Sequence, residues 1–227
     1  MDQPLAIAQA LKYAEELREL HRAERLQRQR VEQSLTWLED SYRATVRALA
    51  VALELRDDLT GDHAERVTRL AMRLTERVAP DLASDPQLEY GFLLHDLGKI
   101  GVPDAILLKP GPLDAAERRD IERHPLHGLR ILEQIPYLHG LTREIVVSHH
   151  ERWDGEGYPH GLVGSGIPLA ARIFAVADTF DAMTNNRPYR DALPVATALN
   201  EIEGEAGRQF DPAVVGQFSV LVVEEAA

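Results

Sequence analysis

The chain of 227 residues is 44% hydrophobic and 27% charged, enough apolar material for one large domain with an extension. A formal charge of −12 excludes non-specific adhesion to nucleic acid polymers or an anionic membrane surface, and no apolar run reaches membrane-spanning length. With no cysteine, disulfide frameworks and thiolate metal sites are excluded as well, so a metal would have to be held by imidazole and carboxylate, which suit iron, manganese, zinc, nickel or cobalt.

The opening stretch, MDQPLAIAQALKYAEELREL, mixes acidic residues with helical periodicity and does not read as a signal peptide, so a cytoplasmic location is expected. Leu11, Ala14, Leu17 and Leu20 lie three apart. Residues 21–30, HRAERLQRQR, are nearly all polar, and apolar positions resume at Val31, Leu35, Leu38, Tyr42, Val46 and Leu49, spaced three and four. That spacing is one stripe on a helix. Neither Pro nor Gly interrupts residues 5–60, so one long helix is predicted to run into the main domain. The stripe fits a two-stranded coiled coil, hence a homodimer through this helix, and equally a solvated helix packed on its own domain. The expected organisation is an N-terminal helical extension over residues 1–40 and a main domain over 41–227.

From residue 41 onward the pattern is of helices separated by short breaks. Thr60 is expected to N-cap a run to Val78 that Pro80 closes. Pro86 opens a run ending at HDLGKIG, where Gly98 is expected to cap the C-terminus. Asp114 and Glu117 fit a capping box before AAERRDIERH, and Pro125 suits the first turn of a helix holding Leu126, Leu129, Ile131 and Leu132. Leu141 to Ser148 and Pro168 to Thr184 have helical spacing, and Pro194 and the Asp211-Pro212 pair open the last two helices. Period-two alternation is nearly absent. The fold class expected is all-α, a helical bundle with a small extended turn near residues 155–167.

Of nine histidines, His21, His127, His139 and His160 are accounted for by exposure or helix ends. The others stand beside carboxylates or at helix boundaries: His63, His95 next to Asp96, His124, and His149 next to His150. Asp178 sits in AVADTFD, in the middle of an otherwise apolar face, and a lone buried Asp is costly unless paired or metal-bound. At a helix end His95 and Asp96 can reach one ion from two sides, and the carboxylate can bridge to a second; two ions about 3.5–4 Å apart form the usual two-metal phosphoester site. A lone buried His is more often a hydrogen-bonded core residue than a ligand, so none of these residues decides the matter singly.

Together they follow a known order. His63, His95-Asp96, His124, His149-His150 and Asp178, with HDLGKIGVPD, LLKPGPLD, RHPLHGLRIL, HHERWDGEGYPHGL, IPLAARIFAVADTFDAMT, RPYRDALP and QFDPAVV, closely resemble the HD-GYP subfamily of metal-dependent HD phosphohydrolases over roughly residues 41–220. The resemblance implies an all-α domain that hydrolyses the bacterial second messenger cyclic di-GMP with two or three metal ions, often iron or manganese. It implies one metal held by His63, His95, Asp96 and Asp178, and a second by His124, His149 and His150, with Asp96 bridging. Lys99 matches the lysine of the HD-x-x-K motif and would approach the scissile phosphate. Tyr158 would contact the nucleotide, and Arg187 and Arg190 phosphate or guanine. Trinuclear members carry a glutamate four residues before the first histidine. This chain has Leu59 there, so a two-metal centre releasing linear pGpG is expected, with onward cleavage to GMP left open. Two other readings stand beside this one: a module that binds cyclic di-GMP or a partner protein without turnover, and a phosphodiesterase for another cyclic dinucleotide such as cyclic GMP-AMP.

Overall fold

The computed structural model describes residues 3–56, 62–186 and 191–226. Among them every regular element is helical, and the one other pairing is an isolated bridge between Ala206 and Phe210. None of these helices is long and apolar enough to cross a membrane. The chain divides into two compact units, Met1–Thr45 and Val46–Ala227.

The first unit is helix throughout its described length. Helix α1 runs Gln3–Glu54, so its last turns belong to the second unit. It stays intact through the polar HRAERLQRQR because Arg, Glu, Gln and Leu are all good helix formers, helped by pairs such as Arg28 Nε to Glu32 Oε1 at 3.0 Å. The stripe Val31, Leu35, Leu38 and Tyr42 is left 38–54% exposed. The helix ends at Glu54, earlier than the lack of Pro and Gly predicts. At that end the Glu54 carboxylate accepts the Ala64 N–H, and the Arg56 guanidinium reaches the carbonyls of Lys99 and Val102.

In the second unit α2 (His63–Val78), α3 (Pro80–Ala83) and α4 (Pro86–Leu93) lead to a 3-10 turn, Leu97–Gly101. Then follow α5 (Asp104–Leu107), α6 (Ala115–Ile121), α7 (His124–Leu132), α8 (Leu141–Ser148), α9 (Leu169–Thr184), α10 (Val195–Gly204) and α11 (Pro212–Ala226). The local start signals act as read. Asp114 Oδ1 accepts the N–H of Ala116 at 2.7 Å and of Glu117 at 3.0 Å, and Glu117 Oε2 accepts the Asp114 N–H at 2.8 Å, a complete capping box. Proline sits in the first turn of α4 and α7, where its missing N–H has no intrahelical acceptor to lose.

Two expectations need correction, the caps read at Thr60 and at Gly98. The N-cap position of α2 is held by Asp62, which makes no side-chain cap bond; Thr60 lies outside the described residues. Pro80 opens the one-turn α3 as well as ending α2. Gly98 caps nothing, since α4 stops at Leu93 and Gly98 lies inside the 3-10 turn. A Cβ there would overlap the His124 carbonyl oxygen and come within 2.5 Å of the Gly128 nitrogen, so this glycine lets the turn press backbone to backbone on α7. The stretch expected to hold a small extended turn has no strand; it is a loop closed by a 3-10 turn at Gly164–Gly166.

Three apolar clusters hold these helices. One joins α2, α9, α10 and α11 around Leu74, Ile173, Ile202, Phe210 and Phe218. A second joins α2, α4, α8 and α9 around Val67, Phe92, Ile145 and Phe174. The third joins the end of α1 to α4, α7 and α8 through Ala50, Tyr90, Leu94, Leu132 and Val146. Each fully buried Leu, Ile or Phe contributes roughly 1.5–3 kcal/mol relative to exposure, so the ends of α4, α7 and α8 are firmly placed. Those ends are where the histidines stand.

Candidate metal centre

Helix ends set the site. His63 is the first residue of α2, His124 the first of α7, His149 follows the last residue of α8, and His95 and Asp96 follow α4. Asp178 comes from the middle of α9. These elements bring ligand atoms of Asp96, His124, His149 and His150 within 4.8 Å of one another, and those of His63, His95 and Asp178 likewise. Lys99 Nζ lies 2.8 Å from Asp96 Oδ2.

The hydrogen bonds fix the tautomers. His95 Nδ1 meets the carbonyl of Phe92 at 2.8 Å, His124 Nδ1 that of Ile121 at 2.7 Å, and His149 Nδ1 that of Val146 at 3.0 Å. A carbonyl can only accept, so each Nδ1 carries a proton, which leaves Nε2 as the atom that turns a lone pair to a metal whenever the ring is neutral. These lone pairs converge. Nε2 of His124 and of His149 are 3.2 Å apart, and both face Asp96 Oδ1, at 3.2 and 3.7 Å. That oxygen is buried and has no hydrogen-bond partner, while Oδ2 lies 3.2 Å from His95 Nε2. Acceptor facing acceptor in a dry pocket is repulsive unless a cation lies between them, so the donor set fits divalent metal, with Asp96 offering one oxygen to each cluster.

His63 is held differently. Its Nδ1 is 2.7 Å from Asp181 Oδ2 and its Nε2 3.3 Å from Asp178 Oδ1. Arg66 forks onto Asp181 at 2.9 and 3.1 Å. Asp181 was not among the candidate residues; its one signal is a second acidic residue three positions after Asp178 on an apolar helix, facing the same way. An Asp181→Asn variant is expected to lower affinity for Mn2+ about 10- to 100-fold, the usual effect of removing a carboxylate that orients a ligand imidazole. Calorimetric titration of the metal-free protein measures it.

The electrostatics favour cations. Burial alone would raise Asp96, but Lys99 and His95 beside it hold it well below the ordinary carboxylate range. Burial also opposes ionisation of Asp178, and the His63 hydrogen bond and His95 outweigh it, so that pKa is lowered too. Burial disfavours charge on His63, yet hydrogen bonds to Asp178 and Asp181 raise it to about 9. Burial pushes His149 down to about 4, and burial with His149 and His124 alongside pushes His150 well below its usual value. His149 and His150 are thereby neutral near pH 7, the form that binds metal, whereas His63, and His95, which Asp96 raises against its burial, would each release a proton to a metal.

The loop after α8 roofs the second cluster. The buried Glu151 carboxylate accepts the N–H of His160 at 2.8 Å and of Leu162 at 2.9 Å. Gly157 lies so close to the loop's own start that a Cβ would come 2.6 Å from the His150 carbonyl oxygen. The Tyr158 ring rests against His150 at 4.7 Å. Trp153 packs within the loop, with the Arg172 guanidinium 5.7 Å from its ring centre. A cleft of about 290 Å3 lies alongside, lined by Arg118, Glu122, His149, His150, Tyr158 and Asp178. Arg187, Arg190 and Leu59 lie outside the described residues.

The family model described as HD domain matches residues 47–214. A cyclic di-GMP phosphodiesterase of Thermotoga maritima is 42% identical over 195 residues, 85% of this chain and 53% of that protein. The 3'3'-cGAMP-specific phosphodiesterase 2 of Vibrio cholerae is 37% identical over 179 residues, 78% of this chain and 34% of that protein. A solved structure of a cyclic GMP-AMP-specific phosphodiesterase of V. cholerae matches with a TM-score of 0.59 at 21% identity, over 78% of this chain and 48% of its own, a likeness of fold. The chain thus spans about half or less of the length of these relatives.

Proposed function

Since this chain belongs to the HD-domain family, we propose that it is a metal-dependent phosphodiesterase of the HD-GYP kind, acting in the cytoplasm to open cyclic di-GMP to linear pGpG. The observation that carries the proposal is the buried, unpartnered Asp96 Oδ1 facing the lone pairs of His124 and His149, with Oδ2 turned toward His95. Two divalent ions, iron or manganese, would be held by His63, His95, Asp96 and Asp178 and by Asp96, His124, His149 and His150. Bound metals of this kind neutralise phosphoryl oxygens and lower the pKa of water. Lys99, already against Asp96, sets an ammonium beside the cluster, where it offsets charge that builds on the phosphate. Tyr158 walls the cleft and contacts the nucleotide; Arg187 and Arg190 supply phosphate or guanine contacts, for which a guanidinium fork is suited. These cations also answer the net charge of −12, since only the local field need be positive for a polyanionic substrate.

The test is anaerobic protein, loaded with Fe2+ or Mn2+, incubated with cyclic di-GMP and with cyclic GMP-AMP, the products being separated by chromatography. pGpG from cyclic di-GMP supports the proposal. The relative named for cGAMP favours the second dinucleotide as a competing substrate, and the ratio of kcat/KM values decides between them. No turnover of either with metal bound would make the domain a binding module. Metal counting on the same sample is expected to give two ions, and three would overturn the reading of Leu59.

The domain is proposed to span residues 41–227, with residues 1–40 as an extension that dimerises through Val31, Leu35, Leu38 and Tyr42, the exposed three-four stripe of α1. Sedimentation is expected to show a dimer for the whole chain and a monomer for a version starting at Ser41. A monomer in both cases removes the dimer.

A further inference from the structure

The last turn of α1 reaches both halves of the metal cluster. Glu54 is 94% buried, and its Oε1 accepts the N–H of Ala64, the second residue of α2 and the neighbour of His63. The first N–H groups of a helix have no intrahelical acceptor, and Asp62 at the N-cap supplies none from its side chain. A carboxylate from another helix therefore does the capping, with the sign that an N-terminus favours. Two residues on, Arg56 does the converse. Its Nη1 donates to the Lys99 carbonyl at 2.6 Å, which also accepts the Val102 N–H at 3.0 Å, and its Nη2 donates to the Val102 carbonyl at 2.6 Å, where the 3-10 turn Leu97–Gly101 ends. The same guanidinium bonds Asp104 Oδ1 through Nη2 at 2.7 Å and Nε at 3.2 Å, tying in the start of α5. Glu54, Arg56, His63, His95, Asp96 and Lys99 line one cavity of about 20 Å3. Ala50 and Leu53, on the same stretch of α1, pack into the cluster formed by Leu93, Leu94 and Leu97.

We infer that Arg56 is a positioning residue for Lys99 and for the turn that carries Asp96, and that Glu54 does the same for His63, so that the end of α1 sets the distance between the two loops of the centre. Neither residue has a ligand role. Arg56 fixes the main chain of Lys99 from behind, which aims the ammonium at Asp96. The inference rests on the proposed phosphodiesterase reading for its kinetic readout only.

The experiment uses the full chain with Arg56→Ala and Arg56→Lys. Loaded Arg56→Ala is expected to lose about 10- to 100-fold in kcat with little change in KM, the scale of a misplaced catalytic group. Added guanidinium is expected to restore much of the loss. Arg56→Lys is expected to stay impaired, because one ammonium cannot fork onto two carbonyls and a carboxylate. In the metal-free protein, the amides of residues 97–104 are expected to exchange hydrogen faster in Arg56→Ala while those of α9 and α11 stay as in the wild type. A fall in melting temperature with kcat unchanged and no rescue would reduce Arg56 to a structural role and overturn the inference, as would unchanged exchange over 97–104. Should Arg56→Ala fail to fold, Arg56→Gln, which can still donate to one carbonyl, takes its place in both measurements. If the wild type turns over no cyclic dinucleotide, the proposed function fails, and the exchange data still judge the positioning role alone.

Discussion

Asp96→Ala is expected to empty both metal positions and to lower hydrolysis by about 1000-fold or more, since several kcal/mol of charge stabilisation at the phosphate go with the metals. Among the described residues Asp96 is the one carboxylate whose two oxygens face different imidazole groups, Oδ1 toward His124 and His149 and Oδ2 toward His95. Its removal leaves His63, His95 and Asp178 on one side and three imidazoles on the other, too little negative charge on either side to hold a divalent ion. The helical fold is expected to survive, because Asp96 joins none of the three apolar clusters. Elemental analysis beside circular dichroism and a hydrolysis assay checks this; two ions still bound to Asp96→Ala would remove the bridging assignment.

Gly98→Ala, the addition of one methyl group, is expected to cost about 3 kcal/mol or more, at the upper end for overpacking, because the obstacle is backbone rather than a side chain that can swing away. The new Cβ would collide with the His124 carbonyl oxygen and crowd the Gly128 nitrogen. To admit it, α7 must back off from the 3-10 turn, which moves His124 away from Asp96. Stability and metal affinity are therefore expected to fall together. Urea unfolding with and without Mn2+ measures both; a variant with wild-type stability and affinity would show that the two segments separate freely.

What local chemistry specifies was legible in the sequence. The capping box at Asp114 and Glu117, the first-turn prolines of α4 and α7, and the span of α8 depend on neighbours within a few residues, and each stands where the pattern put it. Gly98 shows the limit. A glycine after an apolar helix fits a cap, but its reason lies in a helix thirty residues away, and nothing local announces that contact. The end of α1 shows it again: neither Pro nor Gly marks Glu54, and the partners that Glu54 and Arg56 meet there, Ala64 and Lys99, stand on other segments. The candidate ligands came from the order of His and Asp along the chain and from the family that order resembles. What could not come from there was the support beneath them, Asp181 under His63 and Glu151 under the loop, since a polar residue's burial is a property of the fold.

The main-chain anchoring of three imidazoles also bears on how such a site would decay as sequences diverge. His95, His124 and His149 take their aim from carbonyls three residues back on their own segments, and a carbonyl is present whatever residue carries it. Drift among the surrounding polar side chains leaves those rings pointing inward. His63 has no such insurance: its outer nitrogen leans on the carboxylate of Asp181, which a single codon change abolishes. Erosion should therefore begin at the His63–Asp178 half, and descendants that lose one ion would keep the one held by Asp96, His124, His149 and His150.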